Sequence, residues 1–382
     1  MSRPKHEIAD IIERFGGAFI DQYHPNSYQL RVLGALSACR TAALGGHKYR
    51  CDHCHREHIT YNSCRNRHCP KCQGAKQAFW VEDRINNAYP VKHYHIVFTL
   101  PHELNAICQL DSRWFYDHLF ASVWNVLLTF GYSHFGVQTG AVCLLHTWGQ
   151  SLTFHPHLHC IVPALGYSLR GRLKKIGKGG KFLYPVTQLS LNFRKKFMAS
   201  IKKHLAKQHL LHHYQPIIDS AWSKPWNVNC KPSLGKPEKV VKYLGQYTHR
   251  VAISNQRIVD VDDRDVRFMR KDYRDQEQIN TTSLTGLEFL RRFCQHILPA
   301  GFVKIRHYGI YSTRFRSTSL KDPNKMVVKS VETTIERIKR VLGIDVYRCP
   351  TCKKGRLIPV AILPRIRSPG FVKTAMLKWM NY

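Results

Sequence analysis

The chain has 382 residues and a formal net charge of +34, because 59 Lys and Arg outnumber 25 Asp and Glu. Hydrophobic residues make up 43% of the composition and aromatic residues 11%, which is enough for packed cores and excludes global disorder. The charge instead predicts a polyanionic partner, above all nucleic acid, because neutralised phosphates release counterions. No apolar run approaches the roughly 18 residues of a membrane span, and the N-terminus lacks a secretory pattern, so we expect no membrane partner.

Apolar residues at helical spacing predict helices in much of the chain. The second of these has Asn26 as a plausible N-cap and Gly45 as a stop signal. In chain order, the predicted helices occupy residues 6–15, 26–44, 75–87, about 102–135, 190–213, 236–250 and 284–299.

Short β-branched and aromatic runs predict strands between these helices. Residues 92–101 form the first, and residues 141–149 and 152–165 are expected to pair as an antiparallel hairpin. Residues 251–273 read as two further strands with a turn at Asn255, whereas the Gly- and Lys-rich residues 170–181 read as a loop. This mixture predicts an α+β fold with a largely antiparallel sheet.

Cysteines are concentrated in one polar segment, where two C-x2-C pairs are separated by 14 residues. Two such turns supply the four thiolates that a structural Zn²⁺ ion prefers, in a reducing cytosol. The predicted zinc ligands are Cys51, Cys54, Cys69 and Cys72.

Other metal-binding side chains leave this assignment partly open. Cys64 and His68 lie in the same stretch and could replace a member of the set or bind a second ion. A further pair, Cys349 and Cys352, supplies only two ligands and has no evident mate in the sequence. The basic side chains of Arg65 and Arg67 surround the second knuckle, so the module is expected to touch DNA.

Two features outside the cysteine segment carry candidate chemistry. His157 and His159 flank Leu158, and residues i and i+2 of a strand point to the same face, so their imidazoles can converge on a divalent cation. Tyr243 and Tyr247 are four residues apart and share one face if their segment is helical. Each feature alone is also compatible with ordinary core packing.

Together these motifs resemble a known family, the HUH-type two-tyrosine transposases of insertion sequence 91 and its ISCR-like relatives. The resemblance covers about residues 25–355. Its motifs occur in family order. They are LGGHKYRCDHC and YNSCRNRHCPKCQ for the zinc-binding domain, KHYHIVFTLPHEL for the first catalytic strand, LHTWGQSLTFHPHLHCIVP for the HUH block, KVVKYLGQYTHRVAIS for the tyrosine block and HILPAGFVKIRHYGIYS for the closing motif.

The resemblance implies a fold and a domain organisation. It implies an HUH endonuclease domain with an antiparallel sheet of the RRM or ferredoxin-like palm type, preceded by a helical zinc-binding domain. We expect the helical and zinc-binding domain in residues 1–90, the catalytic domain in 91–312, and a basic region with a C-x2-C knuckle in 313–382.

The resemblance also implies rolling-circle transposition, in which Tyr243 or Tyr247 cleaves one DNA strand and becomes linked to its 5′ phosphate. Single-stranded DNA at the element ends and target DNA would be the partners, in the bacterial cytoplasm at the nucleoid. His157 and His159 would hold Mg²⁺ or Mn²⁺. The candidate DNA-binding residues are Arg65, Arg67, Lys242, Arg250 and Arg306.

The metal site needs a third ligand, and we choose His146, which the hairpin would place across from His157 or His159. Gln150 and Gln246 are alternatives, and His95 could also face this surface. Two other functions remain open. One is a plasmid rolling-circle replication initiator or relaxase, and the other is a zinc-dependent DNA-binding protein without catalysis.

Overall fold

The computed structural model describes residues 4–177, 183–231, 245, 251–272, 278–313, 315 and 332–366. Its helices are α1 (Ile8–Tyr23), α2 (Ser27–Ser37), α3 (Gln73–Asn86), α4 (Asn105–Leu110), α5 (Ser112–Phe135), α6 (Val186–Lys207), α7 (Leu211–Ser223), α8 (Gly286–Gln295) and α9 (Thr334–Leu342). None of these described helices is long and apolar enough to cross a membrane.

Within the described residues, the strands form four sheets, and every strand pairing is antiparallel. They are β1 (Gly46–Cys51), β2 (Glu57–Tyr61), β3 (His93–Thr99), β4 (Val137–Gln138), β5 (Gly140–Trp148), β6 (Phe154–Pro163), β7 (Leu165–Ser168), β8 (Leu173–Lys175), β9 (Val228–Lys231), β10 (Ile258–Val261), β11 (Asp265–Asp272), β12 (Gln278–Thr285), β13 (Ile305–Gly309) and β14 (Leu357–Leu363). The mixture of helices and antiparallel sheets agrees with the predicted α+β class.

The largest sheet has the order β13-β5-β6-β3-β9, with the predicted β5–β6 hairpin near its centre. Side chains alternate between its faces. On β6, Leu158 and Cys160 enter the main hydrophobic core, and α5, α6 and α7 supply the other side of that core. His157 and His159 therefore lie on the opposite face. This alternation positions the candidate site.

Helix α5 covers the core face of the large sheet. The sequence defines both ends of this helix. The Asp111 carboxylate accepts a hydrogen bond from the backbone N–H of Trp114 at the first turn. Gly136 ends the helix in the left-handed region, with φ of 64°. Between these ends, the rings of Phe115 and Phe197 of α6 meet edge to face, with centroids 5.1 Å apart. Aromatic packing thus joins the two longest of the described helices over the sheet.

A second core joins the N-terminal helices to a distant part of the chain. Buried side chains of α1 and α2, including Ile12 and Leu33, pack with Phe268 of β11 and Phe289 of α8. The predicted cap of α2 is confirmed, because the Asn26 side chain accepts from the backbone N–H groups of the next turn. The boundary that we placed at residue 90 therefore separates segments that share one core.

The C-terminal region completes a small sheet near the N-terminus. Strand β14 pairs with β1, which pairs in turn with β2. Residues assigned by sequence to the first and third regions thus form one β-ribbon.

Several local predictions were wrong. The single helix predicted for 190–213 is two helices, interrupted where His209 has φ of 59°. The second helix also ends at Ser37 rather than near Gly45. The turn in 251–273 lies at Asp262 instead of Asn255, because the Asp262 carboxylate accepts from the N–H groups of Arg264 and Asp265. The Gly- and Lys-rich loop also contains β8.

Candidate active site and cysteine clusters

Three histidines meet on the open face of the large sheet. His146 of β5 is paired directly with His157 of β6, and His159 lies on the same face two residues further along β6. One ring nitrogen of each residue lies within 4.8 Å of those of the other two. His146 is buried and the other two are half-buried. The structure therefore brings together the three histidines that were predicted as metal ligands.

Neighbouring groups fix how two of these rings are oriented. Nδ1 of His157 lies 2.7 Å from the carbonyl oxygen of His155, and an N–H donated there leaves the lone pair on Nε2. Nδ1 of His159 lies 2.8 Å from Nε2 of His95, and the two rings are stacked. Burial lowers the pKa of His157 to about 4, so its imidazole is neutral at pH 7 and can donate a lone pair to a cation.

The bend of the hairpin beside this cluster is held by side chains from elsewhere in the fold. Buried His296 contacts the Thr147 hydroxyl of β5 and the Leu152 carbonyl in the bend, each at 3.2 Å. Arg292 of α8 donates to the carbonyl of Ser151, and Arg257 donates to that of Gln150. These bonds keep the end of the hairpin in place. Gln150 lies in this bend, and its carbonyl contributes to that attachment.

The predicted nucleophiles Tyr243 and Tyr247 lie outside the described residues, as do Lys242, Gln246 and Arg250. The structure does describe Gly245, which stands between the two tyrosines in sequence. It is buried and helical, and a Cβ added to it would lie only 1.9 Å from the Val81 side chain of α3.

Helix α3 contacts the same face of the sheet as the three histidines. Its Arg84 side chain lies 2.8 Å from Nε2 of His307 on β13. His307 is paired with Val142, which is an even number of residues from His146 on β5 and therefore shares its face. Gly245 of the tyrosine block thus packs on a helix that contacts the histidine-bearing face.

The cysteines form two clusters, and the predicted set of four is divided between them. Cys39, Cys64, Cys69 and Cys72 make the first cluster, and Cys51, Cys54, Cys349 and Cys352 make the second. The predicted grouping of Cys51 and Cys54 with Cys69 and Cys72 is therefore corrected.

In the first cluster, Cys64 and Cys39 take the places that Cys51 and Cys54 were expected to fill, and Cys39 lies just after the end of α2. Its Sγ atom lies 3.5 Å from those of Cys69 and Cys72, and Cys64 lies 3.7 Å from Cys72. Four thiolates about 2.3 Å from a tetrahedral zinc ion would be about 3.8 Å apart, so the spacing fits zinc. Hydrogen bonds from the neighbouring thiols, first that of Cys64, hold the pKa of Cys39 well below its ordinary value.

In the second cluster, pairing of β14 with β1 brings the C-terminal knuckle to the N-terminal one. Sγ of Cys51 lies 3.6 Å from Cys352, and Sγ of Cys54 lies 3.8 Å from Cys349. Backbone N–H groups point at the sulfurs, and donation from Gly355 leads the effects that lower the pKa of Cys352 to about 6. The C-terminal pair Cys349 and Cys352 thus completes a set of four with Cys51 and Cys54. The distances between their sulfur atoms again fit a tetrahedral zinc site.

The predicted DNA-binding arginines have different surroundings. Arg65 is exposed, with a left-handed backbone at φ of 54°. Arg67 is half-buried and donates to the carbonyl of Phe302. Arg306 forms an ion pair with Asp117 and lies over the Phe120 ring, 4.3 Å from its centroid. Arg306 therefore has an intramolecular role, which its position in the motif did not reveal.

Comparisons with known proteins agree with these features. Residues 11–100 match a family model described as "Transposase zinc-binding domain", and residues 140–319 match one described as "Putative transposase". The first range includes the whole first cysteine cluster, and the second includes the three clustered histidines. No solved structure matches the chain.

Two curated relatives extend over nearly the whole chain. A protein of Sinorhizobium fredii (strain NBRC 101917 / NGR234), named "Putative transposase y4qJ", is 38% identical over 97% of this chain and 98% of its own length. The "Transposase for insertion sequence element IS801" of Pseudomonas savastanoi pv. phaseolicola is 26% identical over 87% of this chain and 84% of its own length. The cysteine clusters and the matched zinc-binding domain together support structural zinc. The chain belongs to the IS91 family of transposases, which are DNA-cleaving enzymes.

Proposed function

We propose that this transposase cuts and rejoins single DNA strands through 5′-phosphotyrosine intermediates during rolling-circle transposition of an insertion sequence. The observation that carries the proposal is the meeting of His146, His157 and His159 on one sheet face. The substrates would be single-stranded element ends and target DNA in the bacterial cytoplasm at the nucleoid.

The histidine cluster fits a divalent cation, Mg²⁺ or Mn²⁺, because it offers three imidazole nitrogen donors and leaves positions open for oxygen ligands. A cation bound there would act as a Lewis acid on the non-bridging oxygens of the scissile phosphate. Hydrogen bonding between His95 and His159 would hold the ligand ring in one tautomer. The opposite face of β6 is packed against helices, so the ligand-bearing strand is rigidly supported.

Tyr243 and Tyr247 are the proposed nucleophiles. A phenol has a pKa near 10, so positive charge close to it is needed to favour the phenolate. The phenolate oxygen forms a bond to phosphorus while the bond to the 3′ oxygen breaks, which leaves a free 3′-OH. One phosphodiester replaces another, so the reverse reaction can rejoin the strand without nucleotide hydrolysis. Two tyrosines permit two linked transfers.

We further propose that the large sheet, with α5, α6 and α7 on one face and the histidines on the other, is an HUH palm. In this proposal the palm is the centre of a catalytic domain in residues 91–312. Residues 1–90 and 313–382 flank it, and they are linked to each other through β1 and β14.

The direct test is incubation of the purified protein with single-stranded oligonucleotides that span both element ends, in Mg²⁺ or Mn²⁺. We expect a covalent protein–DNA adduct, and peptide mass spectrometry should place the nucleotide on Tyr243 or Tyr247. Tyr243→Phe combined with Tyr247→Phe should abolish the adduct. Tyr132→Phe, which changes an exposed tyrosine on α5, is the matched control and should retain it.

Cleavage that leaves free 5′ phosphates with no adduct would instead show hydrolysis and reject the tyrosine mechanism. A DNA-binding protein without catalysis would leave the strands intact in every variant. A replication initiator or relaxase would share the chemistry, but its substrate would be a plasmid origin. The full-length similarity to transposases favours element ends.

A further inference from the structure

A small cavity lies directly beside the histidine cluster. Four basic residues line it, Arg67, His68, His296 and Lys304, together with Trp148 and other side chains. The Trp148 ring stacks on His146 with centroids 4.9 Å apart. In addition, the carbonyl of Lys304 accepts a hydrogen bond from the backbone N–H of the residue before His146. The cavity is therefore adjacent to the candidate metal site.

The cavity carries positive charge without a matching acid. No carboxylate in the described part of the chain forms an ion pair with Arg67 or Lys304. Burial, with the nearby Arg67 charge as a second cause, lowers the pKa of Lys304 to about 7. His68 is only 9% exposed, and its Nε2 atom has no hydrogen-bond partner among the described residues. Partial removal of a cationic group from water is costly unless an anion compensates it, and Arg67 and Lys304 are both half-buried.

The size of the cavity limits its occupant. Its volume is about 20 Å³, which accommodates one oxygen-sized atom rather than a whole phosphate group. A water molecule could satisfy His68, but it would not neutralise the charge of Arg67 or that of protonated Lys304. A phosphodiester beside the cavity could insert one charged oxygen into it. DNA, which a transposase of net charge +34 binds, supplies such phosphodiesters.

We propose that this cavity binds a non-bridging oxygen of a DNA phosphate that neighbours the scissile one, through Lys304, Arg67 and His68. The proposal deepens the proposed function, on which it rests for the position of the strand. It also gives the first cysteine cluster a role. Arg67 and His68 lie in the loop between Cys64 and Cys69, so a metal ion that orders this loop would also order the phosphate site.

Binding of single-stranded DNA tests the proposal without requiring cleavage. The probe is a set of fluorescent oligonucleotides from the element ends, each with one phosphate replaced by a neutral methylphosphonate. In the zinc-loaded wild-type protein, one position should weaken binding by about tenfold or more. In Lys304→Met the unmodified strand should bind about tenfold more weakly, and that position should cause no further loss.

The salt dependence gives a second readout. Loss of one phosphate contact should lower the slope of log affinity against log salt by about 0.7 for a single strand. Lys304→Arg should restore much of the affinity. The matched control is Lys203→Met, which removes an exposed lysine of α6 beyond the opposite face of the sheet and should shift affinity and slope much less.

Two results would overturn the phosphate site. One is a methylphosphonate profile that is the same in Lys304→Met and wild type. The other is a Lys304→Met protein with a lower melting temperature but unchanged DNA affinity, which would make Lys304 purely structural. A protein that forms no covalent adduct, yet loses the position-specific effect in Lys304→Met, would reject the proposed chemistry and retain this site.

Discussion

Replacing His157 and His159 together by alanine should slow adduct formation by about 10³-fold or more, because a Lewis acid contributes several kcal/mol and each 1.36 kcal/mol changes a rate about tenfold. Both rings lie on the open face of β6, and their ring nitrogens lie close to one another and to that of His146. Removing two of three ligands leaves one imidazole, which cannot hold the cation at working concentrations.

The matched control is His155→Ala on the same strand, since the contact of His155 to His157 runs through its backbone carbonyl and survives the change. Single-turnover rates measured with saturating single-stranded DNA and with varied Mn²⁺ separate chemistry from DNA binding. We expect the double variant to bind DNA with near-normal affinity. An undiminished rate in the double variant would remove the histidine cluster from the mechanism.

The wild-type protein should contain about two zinc ions per chain, and Cys352→Ser should contain about one. Cys352 lies in the second cluster, and the first cluster shares none of its ligands. Structural zinc contributes about 10 kcal/mol or more to the folding of small modules, so loss of one ligand releases the metal and with it the C-terminal knuckle. Elemental analysis of the purified variants measures the stoichiometry.

The release should also be visible in the fold. Without the second metal, β14 keeps its strand pairing with β1 but the knuckle before it loses its anchor, so limited proteolysis should cut near residue 355 much faster than in wild type. Cys230→Ala, at a buried cysteine outside both clusters, should keep two zinc ions. One zinc per chain in wild type, unchanged by Cys352→Ser, would instead support the grouping expected from sequence.

The hairpin and its histidines could be predicted because the signal is local. Alternation with period two decides which side chains share a face, and a short turn decides which strand pairs with which. His146, His157 and His159 were therefore placed together from residues only thirteen positions apart in sequence. The amphipathic helices were predictable for the same reason.

The cysteine grouping could not be predicted because it depends on long-range pairing. Cys51 meets Cys352 at a separation of 301 residues, and nothing in a C-x2-C knuckle specifies which distant knuckle completes it. Cys39 had no motif at all, since it is a single cysteine at the end of a helix. Lys304 was missed for a similar reason, because its burial beside Arg67 follows from tertiary packing.

The central claim is that the imidazoles on the sheet and the phenols of Tyr243 and Tyr247 act at one phosphate. Fluorine NMR of fluorotyrosine-labelled protein tests it without knowledge of the DNA sequence, with the two resonances assigned by Tyr243→Phe and Tyr247→Phe. Paramagnetic Mn²⁺ should broaden both resonances in wild type but not in the variant lacking His157 and His159. Sharp Tyr243 and Tyr247 resonances at saturating Mn²⁺ would place the phenols far from the cluster and contradict the account.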